Sequence, residues 1–490
     1  MQTLAESLHA KPGKVIAWLC LAQVVIWTLS VGLFTTAPPL DVGEMLAWGQ
    51  EWQIGHHKHP PGPAWMAEIS YQLGGGVILG PTIVSELCIV LTYLFVYLLG
   101  RRLMEPHLAA LGTLLLTGTF YFTWSTPELN HNVPQMPQWA AAIYVFSFIW
   151  QKPKALVPWL FLGLTAGIGI YLKYSAVVIY LVLAIWVVLD SRMRVALASL
   201  SPWLGAALAL VIALPHLYWL VANDFIALEY AQRRSDGQAS PIAGVIFLGN
   251  QLLNQLPLLI VALCLWFRPL GPPDDASPAD PSTVRFLAIV TLVPALLVAL
   301  VALVTGSGLK AMWGMPMFTT TGLLAIALVK SRVNKTNSGV VMICAALFLV
   351  ASAVAYGVST PIRYSQDKRP SSVGWPMQEL AQKAFAVWSA ETNGPLRIVG
   401  GQYRLSNLVS AGRSDRPHVL LGVNGEYSPW VTPEMMQEFG AMILDANEDR
   451  LEVPAQWRVT KRGSFEIDWT VNRKRPIFYV VIAPAEPPKN

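Results

Sequence analysis

The sequence predicts a polytopic α-helical membrane protein that ends in a small α/β domain outside the membrane. Of its 490 residues, 54% are hydrophobic and 13% are charged, and 19 are tryptophans. Apolar runs long enough to cross about 30 Å of hydrocarbon, which takes about 20 residues each, recur between residues 15 and 358. An ordinary soluble domain is excluded by this composition, so the chain is expected to cross the membrane repeatedly.

The number of spans follows from the lengths of these runs. The first run, 15–34, exceeds the roughly 7–15 residues of a signal-peptide core and is expected to remain as an uncleaved helix. The run at 155–190 is too long for one span and is expected to break near "YLKYS" into two short helices. The prediction is then about eleven spans. The other runs are 77–100, 107–124, 136–151, 196–222, 243–267, 286–305, 312–330 and 338–358.

The distribution of basic residues predicts the orientation, because cytoplasmic loops are enriched in Lys and Arg. One side carries Lys11, Lys14, Arg101, Arg102, Lys152, Lys154, Arg192, Arg194, Arg268, Arg285, Lys330, Arg332 and Lys335. The other side carries Lys58, Lys173, Arg233, Arg234, Lys310 and the C-terminal tail. The sparse side is therefore expected to face out, with the N-terminus in the cytoplasm.

The tail from about residue 359 differs in character, because charges become frequent. Short apolar runs at 395–401, 418–423 and 476–484 indicate buried strands. The segment "TPEMMQEFGAMI" is predicted to be a helix with Thr432 as its N-cap. We therefore expect a membrane domain at 1–358, with an interfacial outer loop at 36–76, and a periplasmic α/β domain at 359–490.

The outer loop holds the densest group of ionisable side chains, in "DVGEMLAWGQEWQIGHHKHPPGPAW". Part of it, "MLAWGQEWQIG", has the pattern of a helix lying in the membrane interface, with Trp52 on its apolar face. Glu51, His56 and His57 are expected to belong to a solvated connector. Asp41 directly follows the end of the first span, where a carboxylate is costly unless it is used or paired.

This loop resembles the first outer loop of the GT-C type glycosyltransferases that use polyprenyl-phosphate sugars. The group includes protein O-mannosyltransferases, aminoarabinose transferases and rhizobial galacturonosyltransferases. Asp41 matches the Asp of the family's Asp–Glu pair, and "HPP" at 59–61 matches the end of its loop. Val42 replaces the family's Glu. Glu44, two positions on, either takes over that role or does not, and both alternatives stay open.

Four further segments resemble the same group in the same order, so that the resemblance runs from about residue 36 to residue 330. They are "TPELNHNVPQMPQWAAAIYVF", "GLTAGIGIYLKYSAVVIYLVL", "LPHLYWLVANDF" and "LKAMWGMPMF". The resemblance implies a GT-C-like fold and transfer of a sugar from a polyprenyl-phosphate donor to an acceptor hydroxyl, usually with inversion. The acceptor would be lipid A, lipopolysaccharide core, another envelope glycan or a protein. The expected partners are donor, acceptor and membrane lipids, since no nucleic-acid signature is present.

The residues suit this chemistry. A hydroxyl needs a positioned base, and Asp41 is the candidate, with a structural role in capping or pairing as the alternative. The lipid phosphate needs cations for the charge that grows on it as it leaves. The candidates for phosphate contact are Arg233, Arg234, Lys310, His59 and Lys173, although the arginines could equally contact lipid headgroups. The candidates for sugar or acceptor binding are Glu128, Asn130, His131, Asn132 and Trp313, with loop solvation as the alternative.

Two other classes of function remain open, and so does the presence of a metal site. A transporter or flippase of a lipid-linked sugar would show charges in mid-span and paired broken halves. A non-catalytic binder of the same fold is compatible with Val42. No cofactor is expected, although His56, His57 and His59 with Asp41 or Glu44 could hold a divalent cation such as Zn²⁺.

Overall fold

The computed structural model describes residues 2–267 and 271–485. Arg268, one of the predicted inner-side cations, lies outside the described residues. The chain forms two compact units, each assembled from several segments. We call the first the helical unit, which comprises Met1–Leu29, Lys58–Gly62 and Thr82–Val354. The second, the mixed unit, comprises Ser30–His57, Pro63–Pro81 and Ala355–Asn490.

Helices make up most of the chain before the tail. They are α1 Gln2–Ala10, α2 Pro12–Phe34, α3 Leu40–Gly49, α4 Gly62–Ser70, α5 Leu79–Leu103, α6 Pro106–Leu115, α7 Gln135–Gln151, α8 Leu156–Leu172, α9 Val177–Leu189, α10 Ser191–Arg194, α11 Ser201–Ala222, α12 Ile226–Asp236, α13 Ala243–Asn254, α14 Leu256–Phe267, α15 Pro281–Thr305, α16 Thr321–Val329 and α17 Lys335–Ser365. Among the described residues, five helices are long and apolar enough to cross a membrane, and eight spans result if each of three bent pairs is one span. The count of eleven stays a prediction.

The predicted break in the run at 155–190 is confirmed. Helix α8 ends at Leu172, and Lys173 is extended, with φ −171° and ψ 144°. A 3₁₀ turn, Tyr174–Ala176, then leads into α9. The lysine therefore stands in a gap between two helices rather than within a continuous apolar span.

The tail forms a five-stranded mixed sheet in the order β2-β1-β3-β5-β4. Its strands are β1 Ile398–Gly401, β2 His418–Leu421, β3 Ala441–Asp445, β4 Val459–Asp468 and β5 Lys474–Ile482. Strand β1 pairs in parallel with β2 and β3, whereas β5 is antiparallel to both β3 and β4. The three helices of the tail are α18 Met377–Glu391, α19 Tyr403–Ala411 and α20 Pro433–Phe439. The three predicted strands are confirmed as β1, β2 and β5.

The predicted helix at "TPEMMQEFGAMI" is correct in its first half only. Thr432 is the N-cap, since its side chain accepts a hydrogen bond from the Met435 amide. The helix ends at Phe439, however, because Gly440 adopts φ 64° and the chain then enters β3. A Cβ at Gly440 would lie 2.2 Å from the carbonyl oxygen of Ile482, so only glycine fits there.

The outer loop is packed within the mixed unit. In α3 the residues from Met45 to Gly49 are all buried, and Trp48 is fully enclosed. Trp52 lies beyond the end of the helix and is 48% exposed. Met45, Leu46 and Trp48, which were expected to face lipid, are instead buried against protein, and α3 packs on α19. The placement of the loop at the membrane interface stays a prediction. The boundary at 358/359 stays a prediction, and α17 runs across it.

Candidate active site

Asp41 lies in the first turn of α3, in the mixed unit. Pro39 is the N-cap of the helix, and the Asp41 side chain is half-buried. The free amide groups at a helix N-terminus favour a negative charge, which suits a carboxylate that works in its ionised form. This position therefore suits a carboxylate and leaves the Asp41 side chain partly accessible.

The chain just before Asp41 is fixed by the tail. Arg404, a residue of α19 that is 7% exposed, donates from Nη2 to the carbonyl oxygens of Pro38, at 3.0 Å, and of Ser372. Its guanidinium also lies 5.4 Å from the ring centroid of Trp375. The Thr36 hydroxyl donates to the carbonyl of Trp375 over 2.9 Å. The entry to α3 is thus held from two sides, which sets where Asp41 points.

Val42 and Glu44 differ in burial and lie on different faces of α3. Val42 is 1% exposed and belongs to the core of the mixed unit, whereas Glu44 is half-buried, as Asp41 is. Residues three apart on a helix are neighbours on one face. Asp41 and Glu44 therefore share a face of α3, and Val42 points away from it.

The far end of α3 is anchored by a buried ion pair. Arg416 Nη1 lies 2.7 Å from Oε2 of Glu68 in α4, and both side chains are at most 6% exposed. Arg416 Nη2 also donates to the carbonyl oxygen of Leu46 over 2.5 Å. Because one guanidinium binds both α3 and α4, it fixes the loop that carries Asp41 to the start of β2.

The expected solvated connector is instead buried. The Glu51 carboxylate is 6% exposed and lies 2.8 Å from Nδ1 of His418, and this contact raises the pKa of His418 above its usual value. His56 stacks on Trp48 with 4.6 Å between ring centroids, and His57 stacks on Tyr427 at 4.3 Å. The prediction for Glu51, His56 and His57 was wrong, because their partners come from both the loop and the distant tail.

A second polar cluster lies in the helical unit, around the break between α8 and α9. Lys173 Nζ donates to Oδ1 of Asn132 over 2.5 Å and lies 5.6 Å from the ring centroid of Trp313. Asn132 is oriented in turn by Asn130, whose Oδ1 accepts from both the backbone amide and Nδ2 of Asn132. Four sequence candidates therefore meet at one place.

The segment 58–62 enters the same cluster. A Cβ at Gly62 would lie 2.6 Å from the carbonyl oxygen of Tyr171, so glycine is required for this approach to the end of α8. His59 and His131 pack ring against ring with 4.1 Å between centroids, and a His131 ring nitrogen lies 3.1 Å from the Pro60 carbonyl oxygen. Both histidines that the sequence proposed in this region are thus in contact.

His131 is electrically neutral at physiological pH. Its complete burial lowers its pKa, as do the positive charges of Lys173 and Lys58, and the result is a pKa of about 3. Lys58 also lies 5.7 Å from the ring centroid of Tyr230 in α12. Two ammonium groups from distant parts of the chain therefore act on one uncharged imidazole. Two fixed cations close to an uncharged ring suit the binding of an anion.

The remaining candidates differ in exposure. Arg233 and Arg234 are exposed in the last turn of α12, three and four residues after Tyr230, and so extend along the same helix face. Lys310 is half-buried at the start of a 3₁₀ helix that contains Trp313. Glu128 is half-buried in the loop before α7.

The sequence did not single out Lys58 and Tyr230. Lys58 was counted among the sparse outward cations, and its place beside "HPPG" was the available signal. Tyr230 offered only its position one turn before two arginines. Within residues 2–267 and 271–485, no group of three His, Cys, Asp or Glu side chains is arranged to hold a metal ion.

Comparison with known proteins identifies relatives of this chain. Residues 58–219 match the family described as dolichyl-phosphate-mannose-protein mannosyltransferase. The lipopolysaccharide core galacturonosyltransferase RgtB of Rhizobium johnstonii is 26% identical over 366 residues, which are 71% of this chain and 73% of RgtB. RgtA of the same organism, also a lipopolysaccharide core galacturonosyltransferase, is 28% identical over 46% of this chain and 45% of its own length.

The fold matches that of solved structures. ArnT from Cupriavidus metallidurans bound to undecaprenyl phosphate superposes with a TM-score of 0.65, at 15% identity, over 96% of this chain and 98% of ArnT. The apo form of ArnT gives the same score and identity over 98% of this chain and 100% of ArnT. The predicted fold class is confirmed: a polytopic helical membrane protein of GT-C type with an extramembrane sheet domain.

Proposed function

We propose that this chain is a membrane glycosyltransferase that transfers a sugar from a polyprenyl-phosphate donor to a hydroxyl of lipopolysaccharide core or a related envelope glycan. The names of the two Rhizobium relatives support the acceptor, and the undecaprenyl phosphate bound to ArnT supports the donor. The loops that carry the candidate site residues contain few Lys and Arg, which supports a reaction on the periplasmic face of the inner membrane.

The observation that carries this proposal is the cluster of Lys58 and Lys173 around neutral His131. A phosphate group that leaves the sugar gains negative charge, and cations fixed in advance stabilise that charge without reorganising. Asn132 and Trp313 hold Lys173 in place. We assign Lys58 and Lys173 to the donor phosphate, with Arg233, Arg234 and Lys310 as further contacts and His59 as a neutral donor of a hydrogen bond.

Asp41 is the proposed general base. In the transfer, the acceptor oxygen bonds to the anomeric carbon as the bond from that carbon to the phosphate oxygen breaks. The electron pair leaves with the lipid phosphate, and the hydroxyl proton passes to the Asp41 carboxylate. Attack from the face opposite the leaving group inverts the anomeric carbon. Glu44 lies on the same face of α3 and is the proposed second carboxylate in place of Val42.

Sugar and acceptor recognition is assigned to the loop around Asn130. Glu128, Asn130 and His131 offer a carboxylate, an amide and an imidazole, which are the groups that bind sugar hydroxyls. Asn130 and His131 are buried, so an incoming hydroxyl would meet groups that are already oriented. Asn132 contributes to this recognition indirectly, by binding Lys173. Trp313 offers the face of its indole ring to the sugar.

Mass spectrometry of envelope glycolipids tests the proposal. Cells without the gene should lack one glycan substituent, the parent gene should restore it, and Asp41→Asn should not. The mass difference identifies the sugar. Unchanged glycolipids, together with loss of lipid-linked sugar from the outer leaflet, would instead indicate a flippase. Restoration by Asp41→Asn at full level would contradict Asp41 as the base.

A further inference from the structure

The tip of the hairpin between β4 and β5, "WTVNRKR" at 469–475, plays no part in the reaction described above. Its exposed residues are Val471, Asn472, Arg473 and Lys474, and Val471 is 56% exposed. An apolar side chain beside two exposed cations, at the far end of a two-stranded hairpin, is a combination that suits a charged lipid surface.

The tip is tied to the end of the last apolar helix. Asp367 lies two residues after α17 and adopts φ 52°. Its Oδ1 accepts hydrogen bonds from the Thr470 hydroxyl, at 2.8 Å, and from the Asn472 amide, at 3.0 Å. Its Oδ2 accepts from Nδ2 of Asn472 over 2.7 Å. Three hydrogen bonds to one carboxylate therefore place the hairpin tip beside the point where α17 ends.

The length of α17 places this point relative to the bilayer. Its apolar part, 338–358, spans about 30 Å at 1.5 Å per residue, which matches the hydrocarbon core. The final residues, 359–365, then extend about 10 Å further, across the headgroup layer to its outer edge. They include Arg363 and Tyr364, residue types that are common at the membrane boundary. Asp367 and the hairpin tip follow at the same level.

Cations from two chain segments converge there. Arg363, Lys368, Arg369, Arg473 and Lys474 are all exposed. Partial burial and the nearby charge of Arg369 lower the pKa of Arg475, which shows that the two segments bring like charges together. Arg475 also packs on Trp469, at 4.5 Å from its ring centroid. We call these six basic residues, together with Val471, the basic tip.

Carboxylates offset only part of this charge, since Asp367 interacts with Arg473 and Asp445 with Arg475. Asp367 binds Thr470 and Asn472, as described above. Asp468 and Glu466 lie on β4 before the tip, and Glu379 pairs with Lys383 at 2.6 Å. Like charges held together on an exposed surface repel one another, so an anion that binds among them relieves that repulsion.

We propose that the basic tip binds the anionic phospholipid headgroups of the bilayer that surrounds α17. Bilayer lipid is the occupant because the tip is joined to a membrane helix at headgroup depth and presents an apolar side chain as well as cations. The binding would hold the mixed unit at a fixed height above the membrane. Each cation near an anionic surface should raise the binding constant for that surface by a factor of about five.

Hydrogen exchange of the full-length chain in nanodiscs tests this proposal. Discs of phosphatidylcholine are compared with discs that also contain phosphatidylglycerol, and exchange is followed in peptides that cover 469–475. The tip should exchange several-fold more slowly in the anionic discs. Arg473→Gln with Lys474→Gln should remove most of that difference. The matched control is Arg450→Gln with Arg458→Gln, two exposed cations remote from the tip, and it should keep the difference.

Three outcomes would overturn the proposal. The first is equal exchange of the parent in both kinds of disc. The second is equal protection by millimolar inorganic phosphate in phosphatidylcholine discs, which would indicate a site for a free anion. The third is an equal loss in the control variant, which would indicate a general effect of charge. The comparison of the parent chain in the two kinds of disc does not depend on the folding of any variant. Val471→Ser tests the contribution of the apolar side chain separately.

Discussion

Arg416 and Glu68 form a buried ion pair across 348 positions of sequence, with 2.7 Å between Nη1 and Oε2. The pair joins the outer loop that carries Asp41 to the tail domain. Its effect on function is indirect, because neither residue is assigned to the donor or the acceptor. It does mean that the position of the proposed base depends on residues more than three hundred positions away.

Asp41→Asn should abolish transfer while leaving the fold intact, because it removes the proton acceptor with almost no change in volume. Transfer by the purified, reconstituted protein is the measurement, and thermal unfolding reports the fold. Glu426→Gln, at an exposed position in the tail, is the control for loss of a carboxylate. Glu44→Gln is the companion variant, and its inactivity would show that Glu44 fills the role of the missing Glu.

Lys58→Ala and Lys173→Ala should each lower kcat/KM by about ten- to a hundredfold. A charge-assisted hydrogen bond is worth roughly 1.5–3 kcal/mol, and the loss appears in the transition state as the phosphate departs. Lys152→Ala, at an exposed position outside the cluster, is the control. Parent-like turnover of both variants would move the phosphate site elsewhere.

At least one of Arg233→Ala, Arg234→Ala and Lys310→Ala should also reduce kcat/KM, through loss of a second phosphate contact. A Lys replacement at the arginine concerned should recover part of the activity if charge alone matters. It should recover little if the bidentate fork of arginine matters. If all three alanine variants match the parent, these residues contact headgroups or solvent only.

Arg416→Ala should destabilise the mixed unit by about 3–5 kcal/mol, because it leaves the Glu68 carboxylate buried without its partner. Chemical denaturation in detergent, monitored by hydrogen exchange in 398–482, measures this. The matched control is Arg413→Ala on the same loop, which breaks an exposed pair with Asp415 and should cost about 0–1 kcal/mol. Equal losses in the two variants would show that burial of the pair does not matter.

The contact between Glu51 and His418 should make the stability of the mixed unit depend on pH. Because the folded pKa of His418 is raised, its contribution is fully present below the unfolded value of about 6.5. The contribution is lost as pH rises through the folded pKa. Unfolding measured between pH 5 and 9 should therefore show a decline that Glu51→Gln flattens. A decline of the same size in Glu51→Gln would show that another titrating side chain causes the loss of stability.

A cysteine placed near Asn424 should be labelled by a membrane-impermeant thiol reagent from the periplasmic side only. Asn424 follows β2 in the tail, which the charge distribution assigns to the outside. A cysteine in the loop at 152–154 is the matched control for the cytoplasmic side. Labelling of Asn424 from the cytoplasm would reverse the proposed topology.

Local patterns predicted much of this structure. The break at Lys173 was predictable because a single apolar run of that length exceeds one span, and an ammonium group within it marks the interruption. Strands β1, β2 and β5 were predictable from short apolar runs. The end of α20 was not recognised, although Gly440 marked it, because "GAMI" continues an apolar pattern that fits a helix and a strand equally well.

The site was less predictable, because its contacts are distant in sequence. Glu51, His56 and His57 looked like solvated polar residues, and only the folded tail shows that His418 and Tyr427 cover them. Lys58 gave no local sign of acting on His131. Asp41 was predictable from a resemblance and from its place at the end of a span, neither of which depends on long-range packing.

The mixed unit is assembled from segments made far apart in time. Residues 30–57 and 63–81 leave the ribosome before the several spans of the helical unit, and their partners at 355–490 follow last. At about 5–20 residues per second, this gap amounts to tens of seconds. During that interval α3 has neither Arg404 nor Arg416 to hold it. The proposed catalytic loop therefore lacks both contacts until these arginines have been synthesised, and we expect α3 to reach its final packing only after α19 and β2 have folded.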